Sequence, residues 1–74
     1  MRISYDRSGD AAYIRVVDPV GAGASVKQVV VPSDAQEGAQ FILDFDADGS
    51  LLGVEVLGAS QGMRAESLAS AHQL

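Results

Sequence analysis

The chain has 74 residues, no cysteine and a net charge of −5, from ten acidic and five basic residues. That length leaves no room for a second domain, and the cysteine count excludes disulfides and a Cys/His zinc site. Arg2, Arg7, Arg15, Lys27 and Arg64 form no basic cluster, which argues against nucleic acid as a partner, and no uncharged apolar run is long enough to span a bilayer.

In chain order the pattern predicts strands first and a helix last. Arg2 to Asp6 reads as strand one, and Arg7-Ser8-Gly9-Asp10 as a turn. No basic-then-apolar leader precedes strand one, so a signal peptide is not expected and a cytoplasmic location is. Strand two runs from Ala11 to Val17, with Ala12, Ile14 and Val16 on one face and Tyr13, Arg15 and Val17 on the other. Asp18-Pro19 should end it, because proline lacks a ladder donor. A loose connector over residues 20–24 leads to strand three, Ser25 to Val31, stopped by Pro32. A polar loop over residues 33–39 follows. Strands four and five, Gln40 to Phe45 and Leu51 to Leu57, form a hairpin around Asp46-Ala47-Asp48-Gly49. Residues 61–74 hold good helix formers, with Ala65, Leu68, Ala69 and His72 on one thin face and a start near Ser60 or Gln61. The expected fold is α+β: one domain, with an antiparallel β-meander of four or five strands over residues 1–60 and a short C-terminal helix over 61–74.

The hairpin carries the sharpest motif. Asp44 to Glu55, DFDADGSLLGVE, satisfies the calcium-loop pattern D-x-[DN]-x-[DN]-G-x5-E. Such a loop needs a helix on each side. Here Phe41, Leu43 and Phe45 alternate upstream, and Leu52, Val54 and Val56 alternate downstream, so both flanks read as strands. Six residues of strand would carry Glu55 about 20 Å from the turn, too far to ligate an ion held there. The hairpin reading therefore displaces the calcium loop, and neither a metal nor another cofactor is expected.

Catalytic chemistry has little support. His72 is the single histidine, near a chain end, with no cysteine to serve. Asp44 and Asp46, at i and i+2, could share a strand face and perturb each other, yet a small sheet offers little room for a deep cleft. No enzyme is expected. Apolar residues fall on both faces: Phe41, Leu43, Phe45, Leu52, Val54, Val56, Ile14, Val16 and Ile3 on one, and Ile42, Tyr13, Val17 and Leu57 on the other. A second apolar patch calls for a cover, either the terminal helix or another copy.

Four blocks, Met1-Arg2-Ile3-Ser4-Tyr5-Asp6, Asp10-Ala11-Ala12-Tyr13-Ile14-Arg15, Ile42-Leu43-Asp44-Phe45-Asp46-Ala47-Asp48-Gly49 and Leu52-Gly53-Val54-Glu55-Val56-Leu57-Gly58-Ala59-Ser60, resemble the small prokaryotic domain-of-unknown-function family numbered 2283. The chain departs from the family pattern between Val17 and Gln40, where its connectors look longer. The family has no established activity, so no catalytic residue carries over. The association of some members with small toxins implies an antitoxin-like role.

The function expected is that of a protein-interaction module that self-associates, as a dimer, and neutralises a basic partner. The candidate contacts are Asp44, Asp46, Asp48 and Glu55, all placed on the solvent side, with Tyr13 as an aromatic anchor. The alternative is a small metal or ligand binder that uses the same acidic hairpin. An ordinary solvated acidic surface would look the same in sequence.

Overall fold

The computed structural model describes residues 1–17, 21, 23–32 and 38–74. Its elements are β1 (Arg2–Asp6), β2 (Ala11–Arg15), β3 (Lys27–Pro32), β4 (Gln40–Phe45), β5 (Leu51–Leu57), α1 (Ala59–Gly62), α2 (Ala65–Ser70) and β6 (His72–Gln73). The α+β class holds: a mostly antiparallel sheet backed by two short helices. The strand order β3-β4-β5-β2-β1-β6 sets a three-stranded meander, β3-β4-β5, beside the β1-β2 hairpin, with β6 parallel to β1 at the far edge. β2 does not hand over to β3; it pairs with β5, so the β3-β4-β5 unit docks on the β1-β2 hairpin through Ala12↔Val56 and Ile14↔Val54. The expected stop at Asp18-Pro19, residues 20 and 22 of the connector and most of the 33–39 loop lie outside the described residues.

Side-chain alternation along these registers sorts the faces. One row across the sheet is Val31, Phe41, Val56, Ala12 and Tyr5, and the next is Val29, Leu43, Val54, Ile14 and Ile3. The helices cover the first row from Phe41 to Tyr5 and leave Val31 exposed at the sheet edge. Tyr5, Ala12 and Val56 form the buried core with Ala59 and Leu68, and Phe41, Val54, Ile14, Met63 and Ala71 pack around it. Val56 is completely buried.

The C-terminal tail differs from the single helix read in the sequence. Met63 (φ −126°, ψ 154°) and Arg64 (φ −68°, ψ 145°) are extended and break it in two. Ala71 is extended as well, and the chain continues into β6, which pairs parallel to β1 through Ser4↔His72 and Tyr5↔Gln73. The Gln73 side-chain amide donates to the Leu68 and Ala71 carbonyls, both at 2.8 Å, closing the end of α2. Of the expected face only Leu68 is buried; Ala65, Ala69 and His72 are exposed. Backbone pairing on the β1 edge won over a helix too short to persist alone.

Asp10 fixes where α1 begins. It closes the β1–β2 turn at φ 50°, a left-handed position that aspartate tolerates better than most residues. Its backbone carbonyl accepts from Ala59 N–H at 2.9 Å. Its carboxylate accepts from Ser60 N–H at 2.9 Å, Ser60 Oγ at 2.7 Å and Tyr5 Oη at 2.8 Å. These bonds hold its carboxyl below the usual range, led by the Ser60 hydroxyl. The α1 N-cap itself, Gly58, has no side chain to offer, so the cap arrives from fifty residues away.

Candidate functional site

The opposite face carries Arg2, Arg15, Gly53, Asp44 and Gln28 in one row and Ser4, Tyr13, Glu55, Ile42 and Val30 in the next. Where the rows meet, Tyr13, Arg15, Gln28, Asp44 and Glu55, with Ser25 beside them, line an open cleft of about 490 Å³. Its polar groups converge from four neighbouring strands, β3, β4, β5 and β2, and the segment entering β3.

Asp44 sits at the centre and is buried, 4% exposed. Gln28 Nε2 donates to Asp44 Oδ1 at 2.8 Å and to Glu55 Oε2 at 3.1 Å, so one amide ties both carboxyl groups together. Ser25 Oγ donates to the same Asp44 oxygen at 3.3 Å, and the Tyr13 hydroxyl also bonds Asp44. Asp44 and Glu55 are diagonal neighbours across β4 and β5, since Asp44 pairs with Gly53 and Glu55 with Ile42. Burial raises the Glu55 pKa, and the hydrogen bond and charge of Asp44 raise it further. Glu55 thus keeps its proton to higher pH than a solvated glutamate. Burial also raises the Tyr13 pKa, followed by the negative charges of Asp44 and Glu55, while Arg15 opposes them. The Arg15 guanidinium lies 5.8 Å from the centroid of the Tyr13 ring, within cation–π range.

The structure therefore brings together three of the five residues singled out in the sequence, Tyr13, Asp44 and Glu55. Asp44 is not on the solvent side, because the β3 strand and the Tyr13 ring close over it. Asp46 and Asp48 stand apart at the hairpin turn. Asp46 Oδ1 accepts from the backbone N–H groups of Asp48 and Ser50, both at 2.9 Å. Gly49 supplies the left-handed step at φ 80°. Asp46 lies beyond the end of β4 with its carboxylate on the turn's own backbone, while Gln28 links Asp44 to Glu55, so the carboxyl pair is Asp44–Glu55 rather than Asp44–Asp46. Among the described residues no three metal-ligating side chains gather.

Gln28, Ser25 and Arg15 were not legible as site residues. Gln28 is a lone amide between Lys27 and a run of valines, and only the β3–β4 register, Gln28↔Asp44, gives it meaning.

The family model described as Protein of unknown function (DUF2283) matches residues 2–60. That span holds β1 to β5 and every cleft residue named above; α2 and β6 lie beyond it. No curated protein and no solved structure matches the chain.

Proposed function

We propose that this chain, which belongs to the DUF2283 family, is a non-enzymatic, cytoplasmic protein-interaction module that works by associating with itself. The observation that supports this best is the asymmetry of its two sheet edges. One edge ends in β6, two residues long. The other is β3, six residues long, with Val29, Val30 and Val31 exposed at 39%, 52% and 45%. A long edge strand offers unpaired backbone donors and acceptors, and apolar side chains there favour a further strand. A domain of this size without staples also gains stability from a partner. Among the described residues no helix is long and apolar enough to cross a membrane. Light scattering at ~100 μM should give a dimer mass for the wild type and a monomer mass for Val30→Lys, which sets a charge on the edge. A monomeric wild type would remove the reading.

The acidic surface supports an antitoxin-like extension, in which a basic partner protein is neutralised. Charge steering of this kind weakens as salt rises. Capture of the product of the neighbouring gene, compared between wild type and an Asp46→Lys, Asp48→Lys variant at low and high salt, tests it.

The cleft favours a second reading, a binder of small organic cations. A positive group placed between Asp44 and Glu55 would relieve the repulsion that now favours a proton there. Calorimetric titration with a diamine, for wild type and Glu55→Gln, separates this reading from the first, since self-association needs no cleft.

A further inference from the structure

We infer that two copies join β3 to β3 in antiparallel fashion about a twofold axis through Val30, extending one continuous sheet across the pair. The inference rests on the self-association proposed above and adds its partner strand, register and orientation.

Antiparallel neighbours in a sheet are related by a twofold axis perpendicular to it, and residues directly opposite each other point to the same face. For a strand paired with its own copy, the axis must then pass through a residue and not between two. In β3, Val29 and Val31 share the helix-covered face with Leu43 and Phe41, and Gln28 and Val30 share the cleft face with Asp44 and Ile42. An axis through Val30 sets Val30 against Val30 and Val29 against Val31 of the second copy, so every valine meets a valine. An axis through Val29 would instead set Val30 against Gln28 and Val31 against Lys27. Matched β-branched pairs across strands favour the first register.

Charge selects the same edge. The chain carries −5, yet β3 (KQVVVP) has no acidic residue and a single lysine at its start. Two copies approaching here meet less repulsion than at the hairpin turn, where Asp46 and Asp48 lie. Lys27 and Pro32 bound the strand, and both residue types discourage pairing, which confines it to the valine centre. The far edge, β6, is too short to recruit a further copy, so the assembly closes as a pair and does not grow into a fibre.

The twofold axis leaves the helices of both copies on one side of the sheet and both clefts on the other. From strand spacing and rise, the two Asp44 residues would lie about 20 Å apart.

The chain has no cysteine, so single-cysteine variants give a clean test. Val30→Cys should form a covalent dimer under copper–phenanthroline oxidation. Val26→Cys, just before β3 and more exposed at 62%, should not, because this register places the two copies of residue 26 far apart. Random collision would favour Val26→Cys instead. A dimeric wild type with no Val30→Cys product, or with equal products from both variants, overturns the register and leaves self-association standing. A wild type of monomer mass overturns both.

Discussion

The ring of Tyr13 lies directly on Gly53. A Cβ placed at Gly53 would sit 2.6 Å from Tyr13 Cζ and 2.7 Å from the Ile14 carbonyl oxygen, and would also strike the Tyr13 hydroxyl. The glycine is there so that the ring can cross β5 and bring its hydroxyl to Asp44. Gly53→Ala should therefore lift Tyr13 off the sheet. The expected cost is about 1–3 kcal/mol, as for other overpacked sites. Urea denaturation measures it, and Tyr13 absorbance under alkaline titration reports the released ring. An unchanged midpoint would contradict the collision with both the ring and the Ile14 carbonyl.

Asp44→Ala removes the acceptor shared by Gln28, Ser25 and Tyr13. Leaving those donors without a partner should cost about 1–3 kcal/mol. The same change takes away the charge and hydrogen bond that help raise the Glu55 pKa, so Glu55 should titrate at lower pH than in the wild type. Carboxyl chemical shifts followed by NMR distinguish this coupling from simple loss of stability.

Two carboxyl groups give the stability profile opposite slopes. The folded pKa of Glu55 lies above its ordinary 4.5, so its contribution is complete below that value and is lost as pH rises through the folded one. Glu55→Gln, which mimics the protonated form, should be more stable than wild type near neutral pH, with the gap closing on acidification. The folded pKa of Asp10 lies below its ordinary 3.8, so its contribution is complete above that value and is lost as pH falls through the folded one. Asp10→Asn should be less stable than wild type near neutral pH, with the gap closing only at strongly acidic pH. Denaturation midpoints across pH 2–8 check both; parallel curves for wild type and either variant would contradict the assignment for that residue.

Gly58 ends β5 at φ 68°, and a Cβ there would run into the Gly38 carbonyl oxygen. Gly58→Ala therefore adds a left-handed side chain to a backbone collision. A loss of more than ~1 kcal/mol is expected from the conformational strain alone. At Val56, completely buried between β2, β4 and the helices, truncation to alanine should cost about 2 kcal/mol through lost burial and the cavity left behind. Thermal melts of the two variants measure these losses.

Asp46 serves the turn. Asp46→Ala leaves the Asp48 and Ser50 N–H groups to solvent and should cost about 1 kcal/mol. Calcium at millimolar concentration should not raise the melting temperature, since Asp46 is occupied by backbone donors and Glu55 pairs with Ile42, away from the turn. A calcium-dependent rise abolished by Asp46→Ala would contradict this.

The pattern of residues along the chain was enough to place the strands. Alternation placed β4 and β5 at their observed limits and put Tyr13 and Arg15 opposite Ala12 and Ile14, because a strand has a period of two whatever it packs against. The same alternation, with the valine- and glycine-rich flanks, decided against the calcium loop. The order of family blocks identified the family. Tertiary structure alone decided the rest. Strand order is a long-range choice: β2 and β5 lie far apart in the chain, and only their contact joins the β1-β2 hairpin and the β3-β4-β5 meander into one sheet. The tail turned from one helix into two plus a strand because β1 offered an edge to pair with. Asp44 passed from a surface acid to the buried centre of the cleft because register set Gln28 and Gly53 beside it and drew Tyr13 across. A single sequence reveals which residues share a face, but which strand lies next to them is fixed only when the sheet closes.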